Sequence, residues 1–297
     1  MRMIKGRVLA ILMAATMVLA TACGNNAGGA ANTGADAVSS DSPSGAITVI
    51  SREEGSGTRS AFVELFGVHD EDKNDMTVVT AEITNNTAVM MTSVEGDGNA
   101  IGYISLGSLN DTVKALKIDG ADATVQNVAD GSYAISRPFN IVTMGTVSPS
   151  AQDFINFILS KDGQDVVEAK GYIRLEDTGA YAGAAPTAKI AISGSSSVSP
   201  AMESLREAYL KIYPSAVVEI ITTDSSGGIN DAINGISDIG MASRELKDSE
   251  AEKGLASTTI AMDGIAVIVN NSNPLEGLTK EQVKSIYEGG ILNWEEV

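Results

Sequence analysis

Cysteine and histidine are nearly missing from this 297-residue sequence, with Cys23 and His69 the only examples of each. A single cysteine excludes an intrachain disulfide, and no Cys/His cluster with metal-ligand spacing can be drawn. A serine nucleophile such as Ser56 or Ser196 has no identifiable base, because His69 lies in the charged stretch VHDEDKND and reads as solvated. The phosphate-cradling motif that ends in Gly-Lys-Ser/Thr is absent, as is a Gly-x-Ser-x-Gly elbow between a strand and a helix. Positive charge is scarce too: 20 basic residues face 38 acidic ones, for a net charge of −18. That balance excludes nucleic acid or an anionic membrane surface as a partner. A small anion is not excluded, since an arginine and local dipoles dominate at short range while distant charges are screened. The acidic run Asp70 to Asp75 reads as solvated surface.

No apolar run is long enough to span a bilayer. Arg2, Lys5 and Arg7 precede the run Val8 to Ala20, which ends in small residues and then Cys23. This reads as a secretory signal peptide over 1–22. The placement of Cys23 resembles a bacterial lipoprotein signal, in which the cysteine becomes the acylated N-terminus. Such signals carry Leu three residues before the cysteine; here Ala20 holds that place and Leu19 lies one further back. Residues 23–46 are rich in Gly, Ala, Ser, Asn and Asp without periodicity and read as a lipid-anchored flexible tether. The protein is therefore expected outside the cytoplasm, held to the cell membrane by its lipid alone.

The remaining length suggests two domains, and strand and helix patterns alternate along it. Ile47 to Ile50 reads as a buried strand, and Ala61, Phe62, Leu65 and Phe66 recur at helical spacing. Between them runs Ser51-Arg52-Glu53-Glu54-Gly55-Ser56-Gly57-Thr58-Arg59. A strand passing through such a turn into a helix leaves backbone N–H groups without intrahelical partners, at the positive end of the helix dipole. Gly55 and Gly57 permit close backbone approach, Ser56 and Thr58 add hydroxyls, and Arg52 offers a planar fork that Glu54 could brace. One such turn could be an ordinary N-cap. The grammar recurs at 194–200 and 224–228, so several helix N-termini are expected to converge on one oxyanion. Thr84 to Thr87 is another polar turn that opens a helix. Short strands are expected over 113–128 around Asp119-Gly120, and residues 176–189 read as a linker.

The motifs SREEGSGTR, IGYISLGSL, SRPFNIVT, SGSSSVSPAMESL, SSGGIN, DIGMASRELKD and MDGIAVIVN resemble the phosphate-binding protein family of Pst-type phosphate ABC transporters. The resemblance implies an α/β, two-domain type II periplasmic-binding-protein-like fold with the ligand in a cleft between domains. It implies phosphate contacts from Ser196, Ser197 and Val198, from Ser225 and Ser226, and from Arg52, Ser56, Gly57 and Thr58, with Glu54 as the acidic brace of the arginine. It also implies inorganic phosphate and ABC permease subunits as partners, a monomer, and neither catalytic residues, metal nor cofactor. Two departures stand out. Members of the family carry an aspartate that accepts a phosphate proton where this chain has Arg244, so the acceptor must lie elsewhere, with Asp263 the candidate. The two halves also run in exchanged order, as in a circular permutation. Domain II is then expected over 47–135 and 269–297, and domain I over 136–268. Another oxyanion such as sulfate or molybdate, or a phosphate-ester hydrolase, are the competing readings.

Overall fold

The computed structural model describes residues 44–177 and 179–297. The expected signal peptide, Cys23 and the tether as far as residue 43 lie outside them. The chain begins with β1 (Thr48–Arg52), α1 (Gly57–Phe66), β2 (Glu82–Thr84), α2 (Thr87–Gly96) and β3 (Ala100–Ser105). Small elements follow: β4 (Val113–Ala115), β5 (Lys117–Ile118) and α3 (Val125–Ala129). The long β6 (Ser136–Met144) leads to α4 (Pro149–Leu159) and α5 (Lys161–Ala169). Next come β7 (Ile190–Ser195), α6 (Ser199–Ile212), β8 (Val218–Thr223), α7 (Ser225–Ile233), β9 (Ile239–Ala242) and α8 (Asp248–Ala251). The chain closes with β10 (Leu255–Asn270), β11 (Gly277–Leu278) and α9 (Lys280–Tyr287).

Nine strands form one sheet in the order β2-β1-β3-β10-β6-β9-β7-β8, with β4 added to β10. The parallel sets β2-β1-β3 and β8-β7-β9 sit at its two ends, joined by β10 and β6, which run antiparallel to their neighbours. At 16 residues, β10 is long enough to serve both ends. It pairs with β6 from Leu255 to Gly264 and with β3 from Ile265 to Val269. The expected boundary at 268/269 therefore falls inside this strand.

Two main cores flank that change of partner. One packs Phe139, Phe154, Phe157, Leu205, Tyr209 and Met241, among others, within residues 136–264, here called the middle lobe. The other packs Phe62, Phe66, Tyr103, Ile265, Tyr287 and Trp294 within 44–135 and 265–297, here called the terminal lobe. The terminal lobe holds both ends of the described chain: Ile47 N donates to Leu292 O at 2.8 Å and Trp294 N to Gly45 O at 2.9 Å.

One local expectation is corrected, and two further segments are defined by their contacts. Residues 125–129 form a helix rather than a strand, because the Thr124 side chain caps it by accepting from Asn127 N at 3.1 Å. The helical pattern over 154–167 divides into α4 and α5 at Ser160, whose hydroxyl donates to Phe157 O and accepts from Gly163 N. The 176–189 segment, aperiodic as it is, is fastened to the middle lobe. Asp153 accepts from the hydroxyls of Tyr181 (2.5 Å) and Tyr209 (2.6 Å) and from Ala184 N (3.0 Å), and Ser150 Oγ accepts from Thr187 N and Ala188 N.

Candidate anion-binding site

Six strands deliver polar residues at their C-terminal ends to the junction of the lobes. Arg52 ends β1, Ser105 ends β3 and Ser195 ends β7; Thr87, Ser225 and Ser243 follow β2, β8 and β9 within a few residues. Strands with side chains buried on both faces must leave the sheet through short turns, and carboxyl ends of parallel strands are where such turns meet a ligand. Helices start there as well. Ser56 Oγ caps α1 by accepting from Arg59 N, Asn86 caps α2, and Asp224 caps α7 by accepting from Gly227 N at 2.8 Å. Pro200 occupies the first turn of α6, where its missing N–H costs nothing.

Arg52 is the pivot. It is 2% exposed, its backbone N donates to the Tyr103 hydroxyl at 3.1 Å, and Tyr103 stacks on Phe62. Burial pushes the Tyr103 hydroxyl up to about 12, so it stays protonated behind the arginine. The guanidinium is gripped by Glu53 through Nε and Nη2, both at 2.7 Å, and Nη2 also donates to Ser196 Oγ at 3.1 Å across the lobe junction. Nη1 is buried and has no protein acceptor. The expected brace, Glu54, is corrected here: the turn closed by Ser56 N donating to Glu53 O places Glu54 at its exposed tip, and Glu53 is the residue that reaches the arginine.

Around Arg52 the hydroxyls interlock. Thr58 Oγ1 lies 2.7 Å from Ser197 Oγ, and Thr87 Oγ1 lies 3.4 Å from Ser196 Oγ and 3.3 Å from Ser197 Oγ. Ser195 Oγ donates to Ser243 Oγ at 3.0 Å, and Ser243 N donates to Ser225 Oγ at 3.0 Å. Gly57 packs onto this second group so tightly that a Cβ there would lie 2.3 Å from Ser225 Oγ and 2.7 Å from Ser243 Oγ. Ser226 N donates to Gly55 O at 3.2 Å, a backbone bond between the lobes. Arg52, Ser56, Gly57, Thr58, Ser196, Ser197 and Ser225 are thus brought together at one buried junction. Val198 joins them through its backbone only, since its side chain enters the middle-lobe core. A groove of about 820 Å³ opens beside the junction, lined by Glu53, Thr87, Lys170, Ser196 and Asp224.

Two expected supports lie to the side of this ring. Arg244 is held by Glu250 through both terminal nitrogens, at 2.7 and 2.8 Å, and donates to Ser226 Oγ. Asp263 is 1% exposed and already accepts from Ser105 Oγ (2.9 Å), Gly107 N (3.4 Å) and Arg137. Burial raises its carboxyl to about 6. Sequence reasoning missed Glu53, Thr87, Ser195 and Ser243. Thr87 was detectable, because it opens a helix after a strand and a polar turn as the other sites do.

Paired α/β halves whose strand ends and helix N-termini face each other across a groove are the architecture of a solute-binding protein. A family model described as a PBP superfamily domain matches residues 23–162 and 179–297. The chain is 53% identical over 264 residues to a phosphate-binding protein PstS 2 of Streptococcus agalactiae, covering 87% of this chain and 90% of that relative. It is 44% identical over 280 residues to a phosphate-binding protein PstS 2 of Streptococcus pneumoniae, covering 93% of each. A crystal structure of a phosphate ABC transporter, phosphate-binding protein from Streptococcus pneumoniae TIGR4 is 44% identical and superposes with a TM-score of 0.68. That match covers 85% of this chain and all (100%) of the other. The chain belongs to the Pst-type phosphate-binding proteins of the PBP superfamily and has their type II fold.

Proposed function

We propose that the protein binds inorganic phosphate between its lobes, outside the cytoplasm, and delivers it to the permease of an ABC transporter. One observation carries this reading: the buried Nη1 of Arg52 has no protein acceptor, while Nη2 of the same guanidinium reaches Ser196 Oγ in the hydroxyl network that joins the lobes. A buried cationic donor left without an acceptor is costly, and an oxyanion of phosphate size supplies that acceptor. The contacts are Arg52, Ser56, Gly57, Thr58, Ser196, Ser197, Val198, Ser225 and Ser226, joined by Thr87 and Ser243. Closure of the lobes over the anion withdraws it from water, and each lobe contributes donors that the other lacks.

The protein acts as a binder and not as a phosphate-ester hydrolase. His69, the only imidazole, bonds to Asp70 O and Lys73 Nζ in its own loop, and among the described residues it bonds to no serine hydroxyl. Among the described residues no group of three or more His, Cys, Asp or Glu could hold a metal ion. The anchor is the acylated Cys23 with the tether behind it, and the working unit is a monomer. The chain order is a circular permutation of the wider family's, a reading supported by the pairing of Gly45 and Ile47 with the last residues.

Calorimetric titration with phosphate, arsenate and sulfate tests the ligand. Phosphate is expected to bind 1:1, and Arg52→Ala to cost about 1.5–3 kcal/mol, the range for a hydrogen bond to a charged group. Unchanged affinity in that variant would remove Arg52 from the site. Release of phosphate from a generic ester by the purified protein would overturn the binder reading.

A further inference from the structure

We propose that Arg137, which lies outside the ring of anion contacts, is the positioning residue that fixes Ser243 and through it the hydroxyl cluster of the site. The inference rests on the phosphate-binding reading above. Arg137 of β6 and Asp263 of β10 are directly opposed in the antiparallel ladder, at the point where β10 is about to change partner. Arg137 Nε and Nη2 donate to Asp263 Oδ2 at 3.3 and 3.1 Å, and Nη1 donates to Ser243 O at 3.2 Å. Its guanidinium carbon stands 5.4 Å from the centre of the Phe139 ring. All three nitrogens are therefore committed, and the side chain has no freedom to turn.

Ser243 is held from both sides of its peptide. Its carbonyl takes the arginine, its N–H goes to Ser225 Oγ, and its hydroxyl receives Ser195 Oγ. Three hydroxyls, two of them covered by Gly57, are thus set by one guanidinium. The other oxygen of Asp263 is tied to Ser105 Oγ and Gly107 N, in the terminal lobe. The chain of bonds runs from the terminal lobe through the pair into the middle-lobe half of the site.

Fold stability alone does not account for such a pair. Arg137 and Asp263 are 2% and 1% exposed, and the desolvation of two buried charges offsets much of their attraction. An apolar pair of similar volume would hold β6 on β10 equally well. What it could not do is donate to Ser243 O. Arginine presents donors in a rigid planar fork, able to satisfy a carboxylate and a carbonyl at once, whereas lysine is a single point.

A double-mutant cycle separates positioning from mere structure. The apolar pair Arg137→Met with Asp263→Leu should fold, as judged by circular dichroism, and lose at least about tenfold in phosphate affinity, as should Ser243→Ala. Combining all three changes should lose less than the product of the two separate losses, because Ser243 is the residue through which the pair acts. Arg137→Lys, which leaves Asp263 paired, should reproduce the loss and guards against misfolding of the apolar pair. Phosphate binding within about twofold of wild type in the apolar pair or in Arg137→Lys, or losses that multiply in the combined variant, would overturn the proposal. Wild-type protein that fails to bind phosphate at all would instead overturn the ligand reading on which it rests.

Discussion

The hydroxyls of Thr58 and Ser197 lie 2.7 Å apart, although 139 residues separate them in the chain. Thr58 stands in the first turn of α1 and Ser197 in the turn that opens α6, so the contact joins the two lobes. Both are almost completely buried, at 1% and 0%. A hydroxyl pair placed at such a junction is satisfied while the lobes are together and must find water or ligand when they part. The same holds for Arg52 with Ser196 and for Ser226 with Gly55. Closure is therefore encoded in polar contacts that an anion can join, rather than in an apolar seam that would shut without one. A ligand that binds this arrangement better than a parted one shifts the population toward it.

Gly57 is the steric gauge of that closure. It stands in the first turn of α1 without a positive φ, so alanine there should not strain the chain. The added Cβ would nevertheless meet Ser225 Oγ at 2.3 Å. Gly57→Ala is expected to leave the ligand-free protein at least as heat-stable as wild type and to weaken phosphate at least about tenfold. Small-angle scattering with saturating phosphate should show a larger radius of gyration than for wild type. Wild-type affinity in this variant would mean that the lobes never press on Gly57.

Much of this site was legible because its grammar is local. A short apolar run, then Gly and Ser, then helical spacing marks α1, α6 and α7 without tertiary information. The brace of Arg52 was not legible, since the choice between Glu53 and Glu54 depends on which of them the 53–56 turn exposes. Nor was the role of Asp263, because only the β6–β10 register sets Arg137 opposite it. The fastening of the 176–189 segment was not legible for a similar reason: its anchors, Ser150, Asp153 and Asp162, come from α4 and α5.

Asp263 should leave a signature in the pH dependence of stability. Burial raises its carboxyl from 3.8 to about 6; Arg137, Ser105 and Gly107 pull it down, and buried Tyr172 nearby adds no charge. The folded chain then binds more protons than the unfolded chain between those two values. Its contribution to stability is therefore fully present below 3.8 and is lost as pH rises through 6. Denaturant unfolding of wild type and Asp263→Asn should show wild type losing on the order of 3 kcal/mol relative to the variant from acid to neutral pH. The opposite slope would mean that the Arg137 charge outweighs burial.

Selectivity follows from what faces the anion. Glu53 is paired with Arg52, Glu250 with Arg244 and Asp263 with Arg137. Asp224 lines the groove without a cationic partner among the described residues, but its Oδ1 is engaged in capping α7, so a phosphate proton is expected to go to a hydroxyl oxygen, and a hydroxyl can turn to donate instead when sulfate is bound. A site with a fixed acceptor rejects the wrong partner by about 10⁴-fold or more, because that group is left unpaired. Here competition calorimetry should find sulfate weaker than phosphate by less than about 10³-fold. A larger ratio would require a dedicated acceptor, and Asp263→Asn would then be the variant that lowers it.

The proposed permutation can be tested by building the other order. The described chain ends meet as neighbours: Gly45 N donates to Glu295 Oε1 at 2.9 Å, and Ala46 bridges Asn293. Joining residue 297 to residue 44 through a few Gly and Ser residues should therefore add a surface loop and disturb no core contact. New ends can be opened between Ala185 and Pro186, past the point where Asp153 holds Ala184 N. Cutting there leaves Tyr181 on one end and the Ser150 contacts of Thr187 and Ala188 on the other. Such rewiring is tolerated where ends are close and loops exposed. The rewired protein is expected to bind phosphate within about threefold of the original, because every strand–turn–helix unit of the site stays intact. Its thermal midpoint should fall by a few degrees at most, on the order of 1 kcal/mol. A rewired chain that fails to fold while a control with the same cut but unjoined ends does fold would show that the Gly45–Trp294 junction cannot carry a connection. The permutation reading would then fail, with the phosphate site untouched.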